Sequence, residues 1–182
     1  MLNGKYDWVP LADEHLETIL EWRNDENVRR NMYTTHLITL EEHRAWFGRM
    51  QVDDSRQYFV FRVEGEPQGV VGFSELNPQS RTAVWAFYAN PQAPRGTGSQ
   101  MEFRALEYFF YELGYYKLRC EVLGFNEPVV KLHKKFGFQQ EGCIRQGHFD
   151  GEHYQDVVHL GMFEPEWAEQ REGLARKLKV AL

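Results

Sequence analysis

Cysteine is scarce in this chain: only Cys120 and Cys143 occur among 182 residues. Both fall in strand-like segments, without the paired spacing of a zinc site or the density of a disulfide scaffold. Two buried free thiols in a reducing compartment are expected. Histidine occurs 7 times, at spacings that fit no metal pattern, so no metal is expected. Basic runs are missing and the net charge is −6. That excludes a broad nucleic-acid surface and leaves room only for a local basic pocket. No apolar stretch approaches the roughly 20 residues that span a bilayer. The opening MLNGKYDWVP has no signal-peptide apolar core. A cytoplasmic protein without a membrane partner is the expectation. Repeats, low-complexity tracts and linkers are also missing, which argues for one domain over residues 1–182.

What is present is a composition 42% hydrophobic and 15% aromatic, enough for a real core. Tyr6–Leu11 reads as a short strand. A helix follows from Ala12, with Leu16, Ile19 and Leu20 on one face, and leads into Trp22-Arg23-Asn24. A short polar helix covers Glu26–Asn31, and Met32–His36 reads as loop. Thr39-x-x-Glu42 is a capping box, opening a helix through Met50. The pattern then switches to alternation. Strands are expected at Gln57–Val63, Gly69–Leu76 and Arg81–Ala89, with turns at Gly65-Glu66-Pro67 and Asn77–Ser80. After a loop with Gly96 and Gly98, a helix is expected over Ser99–Leu113, and Ser99-x-x-Glu102 reads as a second capping box. A strand at Tyr116–Leu123 precedes a helix capped by Asn126 and stopped by Gly137. Two strands, Phe138–Gln146 and His153–Phe163, flank Asp150-Gly151, and a helix over Pro165–Lys179 closes the chain. The order is mixed α+β.

The stretch Ala83–Gly114 organises the rest. Strand, glycine-bearing loop and helix N-terminus together make a phosphate cradle: free N–H groups converge there and the helix dipole is positive. Gly96, Thr97, Gly98 and Ser99 offer the amides, and Arg95 adds a cation.

Two further segments turn the cradle into a family resemblance. Asn126-Glu127-Pro128-Val129-Val130-Lys131-Leu132-His133-Lys134-Lys135-Phe136-Gly137-Phe138 looks like the Asn-x-x-Ala/Ser-x-x-Leu-Tyr-Glu-Lys-x-Gly-Phe segment of the GNAT superfamily. Gly142–Leu160 resembles the closing hairpin of several of its bacterial branches. The chain as a whole resembles these acetyl-CoA-dependent N-acetyltransferases. The family's pyrophosphate loop opens with Gln or Arg; here Ala93 stands in that place. The resemblance implies a single α+β domain, with a mixed, mostly antiparallel sheet of about seven strands flanked by helices. Its fourth and fifth strands splay apart. A homodimer is compatible with such a domain.

The resemblance also implies roles. Acetyl-CoA would lie in the splay, pairing with the backbone of Phe87, Tyr88 and Ala89, and Asn126 would bind it besides capping its helix. Trp85, Phe87 and Tyr88 read equally as core. Where the family has a tyrosine that protonates the departing thiolate, this chain has His133. It is expected to act as an acid when protonated, as a base or positioning group, or to be a surface histidine beside an apolar face. Glu75 is a candidate base or an exposed strand-end carboxylate, with Ser74 beside it to hold substrate. Leu20-Glu21-Trp22-Arg23-Asn24, Met32-Tyr33-Thr34-Thr35 and Ile38–His43 resemble the pseudaminic-acid branch. Those enzymes acetylate the 4-amino group of a UDP-linked 4-amino-4,6-dideoxy sugar. Arg23, Met32 and His43 then line the acceptor pocket, Arg23 as partner of a diphosphate. The partner expected is a small-molecule amine, a nucleotide-linked amino sugar. Rival readings are an acetyltransferase of a protein N-terminus or a polyamine, and a non-catalytic acyl-CoA-binding module.

Overall fold

The computed structural model describes residues 5–182. One seven-stranded sheet runs through the molecule in the order β1-β2-β3-β4-β5-β7-β6. The strands are β1 (Tyr6–Pro10), β2 (Gln57–Val63), β3 (Glu66–Asn77), β4 (Thr82–Ala89), β5 (Lys117–Leu123), β6 (Gln139–Phe149) and β7 (Tyr154–Phe163). The helices are α1 (Leu16–Asn24), α2 (Glu26–Arg29), α3 (Leu40–Gln51), α4 (Thr97–Glu107), α5 (Glu127–Phe136) and α6 (Glu164–Leu178).

Strand alternation gives the sheet two apolar faces. On one, Phe61, Phe73, Trp85, Leu118 and Val122 pack against Met101, Phe103 and Leu106 of α4, Phe136 of α5 and Trp167 of α6. On the other, Val60 and Val70 pack against Leu16, Ile19 and Trp22 of α1 and Phe47 and Met50 of α3. The α6 helix is also pinned by polar contacts. Glu107 accepts from Trp167 Nε1 at 3.0 Å and from the Arg171 fork at 2.7 and 2.7 Å.

One junction breaks the antiparallel pattern. β4 and β5 are parallel and pair only over Thr82–Val84 with Lys117–Arg119. Beyond Val84, β4 keeps its pairing to β3 as far as Ala89 opposite Gly69. β5 keeps its pairing to β7 as far as Leu123 opposite Val157. Each strand therefore has a partner on its outer side only, and the inner edges part to leave a slit through the sheet. Unpaired strand edges are templates for amide hydrogen bonds.

Several elements depart from the sequence expectation. The turn between β2 and β3 sits at Glu64 and Gly65 (φ 54° and 85°). Glu66 and Pro67 belong to β3, and Pro67 is accommodated beside a register shift between Phe61 and Arg62. The α4 helix starts at Thr97, two residues before Ser99, with Gly96 as its left-handed N-cap (φ 95°). It ends at Glu107 in a π-helical turn, Tyr108–Glu112, rather than running evenly to Leu113. Glu102 is therefore inside the helix and caps nothing. The Thr39 capping box is present: Glu42 N donates to Thr39 Oγ1 at 3.2 Å and Thr39 N donates to Glu42 Oε2 at 2.7 Å. Asn126 precedes α5, but its side chain makes no capping bond. Cys120 is buried as expected, while Cys143 is exposed on β6; both are free. No described helix is long and apolar enough to cross a membrane.

Candidate active site

The slit forms a cavity of about 240 Å³. Trp85–Ala89 line one side and Cys120, Glu121 and Val122 the other. Asn126, Val129 and His133 of the α5 segment close one mouth, and Asn27, Val28, Asn31 and Met32 close the other. The expected donor-site residues Phe87, Tyr88, Ala89, Asn126 and His133 thus come together. The cradle abuts them: a Cβ on Gly98 would lie 3.6 Å from Phe87 Cε2 and 3.7 Å from Leu132 Cδ2. The amides of Gly98 and Ser99 lie in the first turn of α4, where the helix supplies no acceptor. Thr97 spends both its hydroxyl (2.7 Å) and its backbone N–H (3.1 Å) on Pro94 O, so the free amides of the cradle are those of Gly98 and Ser99. Arg95 is exposed at the rim. Left-handed Gly96, free first-turn amides and a slit leading from them fit a pyrophosphate followed by an extended amide chain.

His133 is buried (3% exposed), not on the surface. The rings of Trp85, Phe87 and Phe138 lie 5.3, 5.9 and 5.3 Å from it. Its Nδ1 is 2.8 Å from Oε1 of Glu102, which is itself fully buried. Burial alone would lower the imidazolium pKa. The Glu102 carboxylate more than offsets this, with Cys120 adding to it, and the pKa is pushed up to about 10.

A second cavity of about 520 Å³ opens on the α1–α3 face. Arg23, Met32, His43, Trp46, Arg49 and Tyr58 line it, and Met32, Ala86, Phe87 and Tyr88 are shared with the slit. The two cavities therefore meet at the free end of β4. The α1 motif explains itself here. Trp22 enters the core, and Arg23 reaches the cavity. Asn24 pins the following loop, donating to Ile38 O at 2.8 Å and accepting from Ile38 N at 2.9 Å. Arg23 Nη2 donates to Thr34 O at 3.1 Å, while Nη1 is buried without a partner. Burial depresses the Arg23 pKa; Tyr88 opposes that shift and Arg29 adds to it. His43 stacks on Trp46 at 5.1 Å with Nε2 also unpartnered. Burial, then Arg23, lowers its pKa, so it is neutral at pH 7.

The structure does not bring Glu75 and Ser74 to this place. Ser74 pairs with Val84 at the closed end of the β4–β5 junction. Glu75 sits in a left-handed bulge (φ 52°) and meets Arg119 at 3.0 Å in solvent. Neither lines the slit or the second cavity. The carboxylate in the slit is Glu121 on β5. It accepts from Tyr33 Oη at 2.6 Å and lies 3.7 Å from His159 Nδ1. Its sequence signal was its alternation out of the apolar face formed by Leu118, Cys120 and Val122. Cys120 and His133 lie on the α4–α5 face of the sheet; Glu121, held by the loop after α2, lies on the face of the larger cavity. Among the described residues, no group of three or more His, Cys, Asp or Glu gathers as for a metal.

A sheet split between a parallel pair, a phosphate cradle at the next helix and a second cavity meeting the slit define an acyl-CoA-dependent transferase. The chain matches the family described as the acetyltransferase (GNAT) domain over residues 9–139. It belongs to that family: it is an N-acetyltransferase whose donor is acetyl-CoA. It is similar to spermidine N(1)-acetyltransferase of Escherichia coli (strain K12), with 25% identity covering 87% of this chain and 86% of that one. It is also similar to acetyltransferase PseH of Campylobacter jejuni (serotype O:23/36, strain 81-176), with 26% identity over 72% of this chain and 82% of that one. The fold matches that of the crystal structure of spermidine N-acetyltransferase from Vibrio cholerae in complex with CoA and spermine. There the TM-score is 0.84 and the identity 22%, over 91% of this chain and 99% of that one.

Proposed function

We propose that the protein acetylates a primary amine on an anionic nucleotide-linked sugar, the 4-amino group of a UDP-linked 4-amino-4,6-dideoxy sugar. Arg23 carries this reading. A half-buried guanidinium whose Nη1 is buried without a partner is an uncompensated donor until an anion meets it, and a diphosphate has the matching oxygens. His43 Nε2 beside it is a second unused polar atom. Trp46 and Tyr58 give the same cavity aromatic walls, suited to a base or a deoxy sugar.

The roles follow from the two faces of the slit. Acetyl-CoA, when bound, supplies an acyl group on a thioester whose sulfur leaves as a thiolate. Gly98 and Ser99 amides hold its pyrophosphate, and Asn126 and the free edge of Phe87–Ala89 hold its amide chain. A β4 amide steadies the carbonyl oxygen as negative charge develops there. Glu121, on the acceptor side, removes the ammonium proton so that the amine can attack. His133, on the opposite side, delivers a proton to sulfur.

A polyamine acceptor is the second reading, favoured by the spermidine acetyltransferases among the relatives. The cavity wall argues against a polycation. Glu42, the one acidic residue lining it among the described residues, is committed to Thr39 N at 2.7 Å and to His36 at 3.3 Å. Thiol release from acetyl-CoA decides, with a UDP-4-amino-4,6-dideoxy sugar, spermidine and an N-terminal peptide as acceptors. Turnover with the sugar nucleotide is expected. Turnover with spermidine or peptide alone overturns the reading.

A further inference from the structure

Glu102 sits on the core-facing side of α4. Its neighbours Met101, Phe103, Ala105 and Leu106 are buried, and it has no exposed surface itself. A charge in such surroundings costs several kcal/mol unless a partner compensates, and a leucine would pack there without that cost. The partner is His133: Oε1 meets Nδ1 at 2.8 Å, and Oε2 has none. Around the ring stand Cys120 of β5, Trp85 and Phe87 of β4, and Phe138 beyond α5. Apart from Glu102, Cys120 is the titratable group among them.

We propose that Glu102 is a positioning residue that occupies Nδ1 of His133 so that Nε2 always carries the proton given to the leaving sulfur. The proposal rests on the reading of His133 as the acid. With one shared proton between them, the pair has two arrangements: carboxylate against imidazolium, or carboxylic acid against neutral ring. Nε2 bears a hydrogen in both. Burial pushes the Glu102 carboxyl upward, with His133 opposing, and Glu102 pushes His133 upward against burial. Both shifts keep a proton on the pair at a pH where a free imidazole has lost its charge.

The transfer balances. The C–N bond forms and the C–S bond breaks. Sulfur takes the bonding electron pair and the Nε2 proton; Glu121, having passed the earlier ammonium proton to solvent, takes the second proton that the nitrogen sheds as the C–N bond forms. Solvent then reloads Nε2. A tyrosine, as the family pattern has here, carries its own proton at neutral pH, with a pKa of about 10 against about 6.5 for histidine. Glu102 supplies what the histidine lacks.

The test uses the full chain and Glu102→Gln, which keeps the shape and removes the charge. Ring NMR of histidine-labelled protein without acetyl-CoA follows His133, assigned by its loss in His133→Gln. In the wild type Nε2 keeps its hydrogen and the ring shows no titration up to about pH 9, whichever arrangement the pair adopts; in Glu102→Gln a ring midpoint appears at about 6.5 or lower. With acetyl-CoA and the sugar nucleotide, Glu102→Gln lowers kcat at alkaline pH about tenfold or more and leaves the KM for acetyl-CoA unchanged. The alkaline limb moves down by about two pH units or more. A wild-type midpoint near the ordinary value overturns the proposal even if Glu102→Gln fails to fold. An unshifted midpoint or pH profile in the variant overturns it too. If the sugar nucleotide gives no turnover, the acceptor reading fails, while the NMR titration still decides the role of Glu102.

Discussion

Arg23→Met separates the two acceptor chemistries by the sign of its effect. The guanidinium stands in the cavity wall with Nη1 unpartnered and Nη2 on Thr34 O at 3.1 Å. Against a diphosphate it supplies charge-assisted bonds worth about 1.5–3 kcal/mol each. Losing one lowers kcat/KM for the sugar nucleotide about ten- to a hundredfold. Methionine keeps an apolar stem in place, so the wall is not emptied. The Thr34 contact goes as well, but the loop stays tied to α1 by the two Asn24–Ile38 bonds at 2.8 and 2.9 Å. Spermidine responds the other way. Removing a cation from the wall relieves like-charge repulsion, so its kcat/KM holds or rises. The KM for acetyl-CoA, set in the slit, is unchanged for either acceptor. Steady-state thiol release with both acceptors, at saturating acetyl-CoA, reads all three quantities. An equal fall for both acceptors would mean that Arg23 only props the loop, and no fall for the sugar nucleotide would refute the diphosphate contact.

The other expected outcomes concern the donor cradle and the base. Gly96→Ala forces a Cβ into a left-handed N-cap (φ 95°) and costs about 1 kcal/mol or more, with a raised KM for acetyl-CoA. Gly98→Ala places its Cβ in ordinary contact with Phe87 and Leu132 at 3.6 and 3.7 Å, so urea midpoint and KM hold; equal damage from both would dismiss the conformational argument. Glu121→Gln removes the carboxylate from the slit and lowers kcat roughly 10²–10⁴-fold at neutral pH. Raising the pH, which deprotonates the amine without help, recovers part of that loss. A pH-independent defect would remove Glu121 as the base.

Much of the scaffold was legible because it rests on local patterns. The alternation of Gln57–Val63 and the Thr39–Glu42 box produce β2 and the start of α3 at the residues expected. The splay between β4 and β5 was legible only by resemblance, since nothing in either strand's pattern says where the pairing stops. What failed did so for two physical reasons. Ser99-x-x-Glu102 has the spacing of a capping box, but Gly96 can take the left-handed cap and start α4 two residues early. That rotates Glu102 from a helix end into the core. Glu75 ends a strand and so looked available. The sheet, however, runs β3 antiparallel to β4, which carries Glu75 to the closed end and leaves the open end to Gly69–Gly72. Glu121 was invisible as a site residue because its role depends on which edge of β5 lacks a partner, a tertiary fact. Arg23, Met32 and His43 share one cavity, and the sequence could group them because they lie close together on α1, α3 and the segment between.

The buried pair makes a last prediction that needs no substrate. In His133→Leu, Glu102 keeps its buried place and loses its partner. Removing one member of a buried ion pair costs about 3–5 kcal/mol near neutral pH, a fall of roughly 1.5–2.5 M in urea midpoint at a slope of about 2 kcal/mol/M. The loss must depend on pH in a fixed direction. Burial raises the folded pKa of Glu102 above its unfolded value. Below the unfolded value of about 4.3 the carboxyl is protonated in both states and the penalty is absent. It grows as pH rises toward the folded pKa and is flat above it. Glu102→Met/His133→Leu, with no charge left to bury, recovers most of the wild-type stability while remaining inactive, because nothing then delivers a proton to sulfur. Urea unfolding of the three proteins between about pH 4 and 8 measures this. A single mutant whose loss is the same at every pH, or a double mutant no more stable than the single, would mean that Glu102 carries no buried charge, and the account of His133 as a carboxylate-held acid would fall with it.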